Sequence, residues 1–353
     1  MTRQPPRILV TNWTFPETRA CLAGLGTVDA NLDRTVWPES EILRRAAEAD
    51  AMMAFMPDRL DADFLARSPR LRVVACALKG YDNFDVEACT AADVWLAIVP
   101  DLLTEPTAEL AVGLAIGIGR MIREGDAQVR AGAFEGWRPI LYGAGLDGST
   151  VSVVGMGQVG RAIARRLSGF GCRLLGIDPR ADMPVGVRGS DLESALPLSD
   201  FVFVAAPLTP DTRHMFGRAA LASMKSDALL INVGRGSVVD ETAVGEALDR
   251  GFLGGYAADV FELEDWALPD RPRQIDPRLR CHPRTLLTPH LGSAVEVVRR
   301  KIEMRAVDNI ADVLAGKPPR DAINAPTIRP AVRDDPGRTG GVALGRVGRA
   351  AGA

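Results

Sequence analysis

The sequence predicts an α/β fold of two domains, each built around a parallel sheet. The chain has 353 residues, which is more than one ordinary hydrophobic core requires. Apolar residues make up 47% and charged residues 25%, the balance of a globular protein. Short apolar runs rich in β-branched residues alternate with helix-compatible stretches in two separate series. Such alternation is typical of parallel strands joined by helices.

The first series of elements extends to residue 99. Its strand candidates are residues 7–12 (RILVTN), 51–56 (AMMAFM), 72–78 (RVVACAL) and 94–99 (VWLAIV). Residues 39–50 and 61–69, between these strands, have the pattern of helices. No glycine-rich nucleotide-binding motif occurs in this part of the sequence.

A long helix is predicted between the two series. Thr107 can cap this helix, directly after Pro106, and the helical pattern continues past Met121. The apolar run from Leu110 to Ile118 has half the length that a membrane span needs, which indicates a buried helix. A helix of this length could connect two domains.

The second series contains six strand candidates. They are residues 149–154, 172–178, 201–208, 228–233, 254–262 and 285–293. Since helical stretches separate them, they predict a doubly wound sheet. Residues 296–319 then predict one more helix, which ends at Gly316 and the two prolines that follow it.

A glycine motif opens the second series. Gly155, Gly157 and Gly160 form G-x-G-x-x-G between a strand candidate and a helical stretch. In that position the first glycine permits a tight turn, the second lets the backbone approach a pyrophosphate, and the third lets the helix pack on the strand. The helix N-terminus also offers free N–H groups to phosphates. The motif therefore predicts a Rossmann-type dinucleotide site.

Asp178 indicates which dinucleotide binds. It ends the next strand candidate, eighteen residues after Gly160, where an acidic side chain accepts hydrogen bonds from the adenosine ribose. A carboxylate there repels a 2′-phosphate, so NAD is the predicted cofactor. Arg180, two residues later, could weaken this preference.

Composition disfavours several other classes of protein. The formal net charge is −3 with both signs interspersed, so neither nucleic acid nor an anionic membrane is an expected partner. The five cysteines are scattered without a C-x-x-C pair, and neither a metal site nor a disulfide framework is predicted. The sequence has no signal-peptide pattern and no membrane span, and we expect a cytoplasmic protein.

The end of the chain has a different composition. Residues 327–353 are rich in Gly, Ala, Arg and Pro and lack the apolar density that a core requires, which predicts a disordered tail. A nucleic-acid-binding tail is the alternative, but its arginines are sparse and no aromatic residue lies among them.

Three residues at the predicted carboxyl ends of strands could carry out chemistry. Among the histidines, only His290 follows a strand candidate, whereas His214 and His282 are in loops and are most simply solvated. Arg235 follows the candidate ALLINV, and Glu264 follows GGYAADVFE. Ligands bind at this edge of a doubly wound sheet. There an arginine fork suits an anionic substrate, an imidazole suits a general base, and a carboxylate can orient the imidazole.

The order Arg235, Glu264, His290, with G-R-G and D-V-F-E-x-E around the first two, resembles the D-2-hydroxyacid dehydrogenase family. The resemblance covers about residues 7–325 and includes the nucleotide motif. It implies that these three residues bind the acid and shuttle its proton, and that the enzyme works as a homodimer. It also implies that a NAD domain (104–296) is inserted into a discontinuous flavodoxin-like substrate domain (1–103 and 297–326).

Within this family the chain most resembles the branch that oxidises phosphite, the phosphonate dehydrogenases. The similarity lies in residues 52–59 (MMAFMPDR), 76–86 (CALKGYDNFDV), 99–120 and 254–267. In the last stretch Asp265 and Trp266 follow Glu264, where the wider family usually has proline. The predicted reaction is therefore oxidation of phosphite to phosphate with hydride transfer to NAD, and His290 would deprotonate the attacking water.

The resemblance also implies roles for individual residues. Lys79 would bind the oxyanion near the nicotinamide, Arg299 would add a third positive charge, and Trp137 and Tyr142 would form the outer wall of the pocket. The implied substrate-binding set is Met56, Lys79, Gly80, Leu103, Arg235, His290 and Arg299. The implied cofactor-binding set is Lys79, Thr107, Gly155, Gly157, Gln158, Val159, Gly160, Asp178, Pro207, Val233, Asp259 and Ser293.

The chain departs from the phosphite-oxidising branch at two places. Val233 and Gly234 precede Arg235 where that branch tends to have Pro-Cys, and Asp178-Pro179 stands where it tends to have Glu-Ala. Neither departure removes a catalytic group. The main alternative is a carbon-substrate enzyme, a D-2-hydroxyacid dehydrogenase or glyoxylate–hydroxypyruvate reductase with the same three residues. A NAD-sensing binding protein is a further alternative. The presence of Arg235, Glu264 and His290 disfavours it.

Overall fold

Two parallel sheets organise the chain in the computed structural model, which describes residues 4–326. The first sheet has the strand order β2-β1-β3-β4-β5, with every neighbouring pair parallel, and this is the flavodoxin-like order. Its elements are β1 (Arg7–Val10), α1 (Pro16–Ala23), β2 (Thr27–Ala30), α2 (Glu39–Ala46), β3 (Ala51–Ala54), α3 (Ala62–Ala66), β4 (Val73–Cys76), α4 (Val86–Ala91) and β5 (Trp95–Ala97).

All four predicted strands of the first series are present, each shorter than its apolar run. The sheet has one further strand, β2, whose sequence TVDA lacks an apolar run because it is an edge strand that is not fully buried. Helices cover both faces of the sheet, so β3 and β4 are buried at every position and carry continuous apolar sequence.

The predicted connecting helix is two helices, α5 (Thr104–Gly119) and α6 (Ile122–Arg130). The prediction of one helix continuing past Met121 was wrong, because Met121 has a left-handed backbone (φ 50°) that ends the first helix. The prediction that Thr107 caps the helix was also wrong. Thr107 lies in the first turn, and its hydroxyl donates to the carbonyl of Leu103 at 2.7 Å. The apolar run of α5 is largely buried, as predicted.

The second sheet has seven parallel strands in the order β12-β11-β10-β9-β6-β7-β8. The order reverses between β6 and β9, which makes the sheet doubly wound and Rossmann-like. Its elements are β6 (Thr150–Val154), α7 (Gln158–Leu167), β7 (Arg173–Ile177), β8 (Val187–Gly189), α8 (Leu192–Ala195), β9 (Phe201–Val204), α9 (Arg218–Ser223), β10 (Leu229–Asn232), α10 (Glu241–Asp249), β11 (Gly255–Ala258), α11 (Pro277–Cys281) and β12 (Thr285–Leu287).

All six strands predicted for the second sheet are present. The seventh, β8, is a three-residue edge strand with largely exposed residues, too short and polar to give a strand pattern. Tyr256, Phe201 and Phe203 are among the largest fully buried side chains and fill the two cores of this sheet.

The last helix, α12 (Glu296–Leu314), returns to the first sheet. Its residues Ile302, Ala306 and Ile310 are fully buried in a cluster with Ile8 of β1 and Met53 of β3. The segment from α5 to β12 is therefore inserted into the first α/β unit. The domain limits 1–103, 104–296 and 297–326 stay proposals.

No helix within residues 4–326 is long and apolar enough to span a membrane. All five cysteines are free thiols. The predicted tail, 327–353, lies outside the described residues.

Candidate active site

Predicted site residues of both units lie at the carboxyl ends of the two sheets, where the units contact each other. Lys79 follows β4 of the first sheet, and its ammonium donates to the side chain of Gln158 at the start of α7 in the second unit. Arg235 follows β10 and contacts Asp82, in the loop after β4, at 3.0 Å. These contacts join loops at the carboxyl ends of the two sheets; the cleft is the space between these loops.

His290 and Glu264 form a close pair. The Nδ1 atom of His290 lies 2.6 Å from Oε2 of Glu264, and both side chains are less than one third exposed. Glu264 ends a short 3-10 helix (Glu262–Glu264), and its Oε1 accepts the backbone N–H of Phe261 at 3.0 Å. Both carboxylate oxygens are thus engaged, which fixes the direction of the imidazole.

Asp259 holds the loop that carries His290. Its Oδ1 accepts from the backbone N–H of Leu291 at 2.6 Å and its Oδ2 from Gly292 at 2.8 Å, while its own carbonyl accepts from His290 N–H at 3.0 Å. His290 has a left-handed backbone (φ 55°), a conformation that needs such support. Burial raises the pKa of Asp259, and these hydrogen bonds oppose that rise. The sequence assigned Asp259 to cofactor binding; its role in shaping the His290 loop was missed.

Arg235 presents its guanidinium to the cleft. Its Nε donates to Asp82 at 3.0 Å and its Nη1 to the carbonyl of Gly234 at 2.9 Å. Its terminal Nη2 lies over Gly80, where an added Cβ would stand only 1.3 Å away. A side chain at position 80 would occupy the space that this guanidinium fills.

Lys79 is half-buried beside Gly80. Besides Gln158, its ammonium lies 3.5 Å from the hydroxyl of Thr104. Burial lowers the pKa of Lys79 below that of an ordinary lysine, and the nearby carboxylate of Asp101 opposes this shift. A partly desolvated ammonium in a cleft is suited to an anionic ligand.

Arg299 approaches the same segment from α12. Its Nη1 donates to the carbonyl of Ala77 at 3.1 Å, two residues before Lys79, and burial lowers its pKa while Glu303 opposes the shift. Met56 and Leu103, the predicted apolar residues of the pocket, are both partly buried against the cores of the first sheet. Arg235 and Arg299 thus both contact the segment 77–80, which also carries Lys79.

The segments that carry Arg235 and Glu264 are joined through Asp265. This carboxylate, 2% exposed, accepts the backbone N–H of Ser237 at 2.7 Å. Gly236 packs so closely that an added Cβ would lie 1.9 Å from the carbonyl carbon of Phe261. Asp265 therefore fixes the two segments relative to each other, which the sequence did not indicate.

The glycine motif has the geometry that a pyrophosphate site needs. Gly155 has φ 90° and lies against the backbone of Ala206, where a Cβ would be 2.6 Å from its nitrogen. A Cβ at Gly160 would lie 1.9 Å from the carbonyl oxygen of Gly155, so this glycine lets the helix approach the strand. A Cβ at Gly157, the N-cap of α7, would meet nothing within 4 Å, which leaves space for phosphates at the helix N-terminus.

Asp178 follows β7, where a ribose-binding acid is expected. Its two oxygens accept the backbone N–H groups of Met156 and Arg180, each at 2.9 Å. The acid is thereby held against the glycine motif. Both oxygens retain further lone pairs for ribose hydroxyls.

The remaining predicted cofactor residues surround this edge of the sheet. Gln158 and Val159 begin α7, Pro207 follows β9, Val233 follows β10, and Ser293 follows the His290 loop. Thr107 lies in α5, and an added Cβ at Gly292 would be 3.0 Å from its hydroxyl. Their individual contacts with the cofactor stay predictions.

Two other predictions concern residues away from the centre. His214 is more than a solvated loop residue, because its Nε2 lies 3.1 Å from Glu262 and its backbone N–H donates to Ser237 at 2.7 Å. Trp137 and Tyr142, predicted for the outer wall, are 82% and 76% exposed. Their place in the pocket stays a prediction.

Comparisons with known proteins agree with this geometry. The family profile described as D-isomer specific 2-hydroxyacid dehydrogenase, NAD binding domain, matches residues 112–292. A glyoxylate reductase of Korarchaeum cryptofilum is 35% identical over 336 residues, covering 92% of this chain and 97% of the relative. A glyoxylate reductase of Aeropyrum pernix is 34% identical over 333 residues, with the same coverage of both chains.

Solved structures show the same fold. A protein from Thermus thermophilus superposes with a TM-score of 0.82 at 34% identity, covering 90% of this chain and 99% of the other. The NADPH-dependent glyoxylate/hydroxypyruvate reductase of Sinorhizobium meliloti gives a TM-score of 0.76 at 27% identity, covering 90% and 97%. The fold, the NAD-binding profile and the full-length relatives agree: this chain is a NAD-dependent oxidoreductase that belongs to the D-isomer specific 2-hydroxyacid dehydrogenase family.

Proposed function

We propose that the enzyme oxidises a small oxyanion by hydride transfer to NAD, and that this anion is phosphite. The observation that carries the proposal is that Arg235 and Arg299 both contact the segment 77–80, which itself carries the cationic Lys79. One guanidinium fork satisfies a planar carboxylate. Three cations suit a compact oxyanion that carries up to two negative charges near neutral pH.

His290 would move the proton in this reaction. Because its Nδ1 faces Glu264, that nitrogen carries the hydrogen, and Nε2 is the basic atom that can take a proton from water. The carboxylate of Glu264 then stabilises the imidazolium and keeps the ring in place. Lys79, Arg235 and Arg299 would hold the oxyanion and offset the negative charge that grows as water approaches phosphorus.

The cofactor supplies the hydride acceptor, so that phosphite, water and NAD⁺ give phosphate, NADH and a proton. Gly157 leaves room for its pyrophosphate, the N-terminus of α7 faces that space, and Asp178 stands where its adenosine ribose is expected. The proposal includes a preference of the enzyme for NAD over NADP.

Reduction of glyoxylate or a related 2-oxoacid is the second candidate. The comparisons support it more directly, because the curated relatives named above are glyoxylate reductases and none of those names mentions phosphite. The same three residues could serve that reaction, with Arg235 binding the carboxylate and His290 donating a proton to the carbonyl. Sequence identities of 35% and 34% leave room for a different substrate, so the two candidates require a direct comparison.

The comparison measures kcat/KM for phosphite with NAD and, separately, for glyoxylate and hydroxypyruvate with NADH, in the same buffer. We expect phosphite oxidation to be the efficient reaction, with one phosphate formed per NADH. Efficient use of glyoxylate together with no NADH from phosphite would overturn the phosphite proposal and leave the second candidate. The His290→Ala variant is the control for both reactions.

We also propose that the enzyme is a cytoplasmic homodimer. Large apolar side chains are exposed along α6 and the segment that follows it. They are Ile122, Val129, Phe134, Trp137, Ile140 and Tyr142. A second copy of the chain could cover them. Light scattering coupled to gel filtration tests this, and a monomeric mass at micromolar concentration would contradict it.

A further inference from the structure

We infer that Asp82 is a positioning residue that sets the direction of Arg235 from the opposite side of the cleft. Its Oδ1 accepts from Nε of Arg235 at 3.0 Å, with side chains that are 27% and 17% exposed. Asp82 belongs to the loop after β4 of the first sheet, whereas Arg235 follows β10 of the second. The inference rests on the proposed function only in that Arg235 binds the substrate anion.

Hydrogen bonds of the neighbouring residues fix the loop that carries Asp82. The next residue, Asn83, is 3% exposed and donates from its side chain to the carbonyl of Met56 at 2.8 Å. The carbonyl of Asn83 accepts from Leu60 N–H at 3.2 Å, and Phe84 N–H donates to Tyr81 at 2.9 Å. Asp82 therefore projects from a part of the first unit that is fixed by buried hydrogen bonds.

The contacts of Arg235 leave only one part of its guanidinium for the substrate. Nε donates to Asp82, and Nη1 donates one hydrogen to the carbonyl of Gly234. The other hydrogen of Nη1 and both hydrogens of Nη2 remain, and Nη2 lies over Gly80 next to Lys79. Without Asp82 the guanidinium could rotate about its last torsions, and Nη2 would no longer lie over Gly80.

Two other roles for Asp82 predict different results. If the pair were only a partly exposed salt bridge, its loss would have little effect on substrate binding. If Asp82 competed with the substrate for Arg235, its loss would lower the KM for the anion. A positioning role predicts the opposite, a higher KM for the anion, and predicts that the effect depends on Arg235.

The test uses Asp82→Ala, which removes the acceptor of Arg235 Nε, with Asp85→Asn as the control in the same loop. Asp85 caps α4 by accepting from Ala88 N–H, and asparagine caps equally well, so the control removes one negative charge without loss of the cap. Two quantities are measured: KM for the substrate that the wild type turns over, and the dissociation constant of oxalate for the NADH complex, followed by NADH fluorescence.

We expect Asp82→Ala to raise both quantities by about tenfold or more, with the KM for NAD unchanged. In an Arg235→Lys background the same change should raise them less than about twofold, because a lysine has no fork to orient. Equal effects in both backgrounds, or unchanged or tighter anion binding, would overturn the inference. A wild type inactive on every acid would instead refute the proposed function, and the oxalate measurement would still test Asp82.

Discussion

The Nδ1 atom of His290 lies 2.6 Å from Oε2 of Glu264, and the other oxygen of that carboxylate is fixed by the backbone N–H of Phe261. With the hydrogen on Nδ1, Nε2 is the atom that would exchange a proton with the substrate or water in the proposed reaction. The contact also connects two neighbouring strands, since Glu264 follows β11 and His290 follows β12.

Removal of the imidazole should abolish the proton transfer. We expect His290→Ala to lower kcat by about 10² to 10⁴ without loss of NAD binding, since the imidazole lies outside the glycine motif. Glu264→Gln keeps an oxygen that can accept from Nδ1, so its effect on kcat should be smaller than that of Glu264→Ala. A His290→Ala enzyme within tenfold of the wild-type kcat would refute the base assignment.

Two glycines of the motif should respond differently to alanine. In Gly157→Ala the new methyl group meets no protein atom within 4 Å but projects toward the phosphate space, so the KM for NAD should rise about tenfold with an unchanged melting temperature. In Gly160→Ala the methyl group would lie 1.9 Å from the carbonyl oxygen of Gly155, so the protein itself should be destabilised. Thermal unfolding with and without NAD separates the two effects. Equal melting temperatures of the two variants, and equal increases on addition of NAD, would contradict this assignment.

The half-buried Lys79 should make anion binding depend on pH. Burial lowers its pKa, so it loses its charge at a lower pH than an ordinary lysine, near 10.4, would. As the pH increases, the KM for the anionic substrate should therefore begin to rise at a pH below the pKa of an ordinary lysine. Lys79→Arg keeps the charge at every accessible pH and should remove this rise. An identical alkaline rise in the variant would show that another group causes it.

Asp58 should make stability depend on pH. This side chain is 2% exposed, and burial raises its pKa from 3.8 to about 6. The folded state therefore holds a proton that the unfolded chain has lost, and stability from this group decreases as the pH rises from about 4 to 6. Over that interval the wild type should lose about 3 kcal/mol relative to Asp58→Asn.

Denaturant unfolding of both proteins at pH 4 and pH 7 measures that difference. Asp61→Asn is the control, because Asp61 caps α3 from a more exposed position and asparagine caps as well. A stability difference between wild type and Asp58→Asn that is the same at both pH values would contradict the raised pKa.

The sequence predicted the parts of the fold that have a repeating pattern. Buried parallel strands such as β3 and β9 carry continuous apolar residues, and Gly155, Gly157 and Gly160 stand between a strand and a helix, so both were predictable. The edge strands β2 and β8 were not, because they are short and only partly buried. The break at Met121 has no glycine or proline at the break itself to signal it.

The positions of Arg235, Glu264 and His290 were predictable because each follows a strand at the ligand-binding edge. Their supporting contacts were not. Asp82, Asp259 and Asp265 each act on a residue or loop that is distant in the sequence, and the polar stretches around them carry no periodic signal. Only the three-dimensional arrangement shows that Asp82 reaches Arg235 across 153 positions of the chain.

The most direct test of the central claim uses phosphite labelled with deuterium on phosphorus. The purified enzyme is incubated with NAD and this substrate, and the reduced cofactor is analysed by mass spectrometry while phosphate is quantified. We predict NADH that carries one deuterium, with one phosphate formed for each NADH. Absence of NADH and phosphate, in an enzyme that oxidises NADH with glyoxylate, would contradict phosphite oxidation and assign the site to 2-oxoacid reduction.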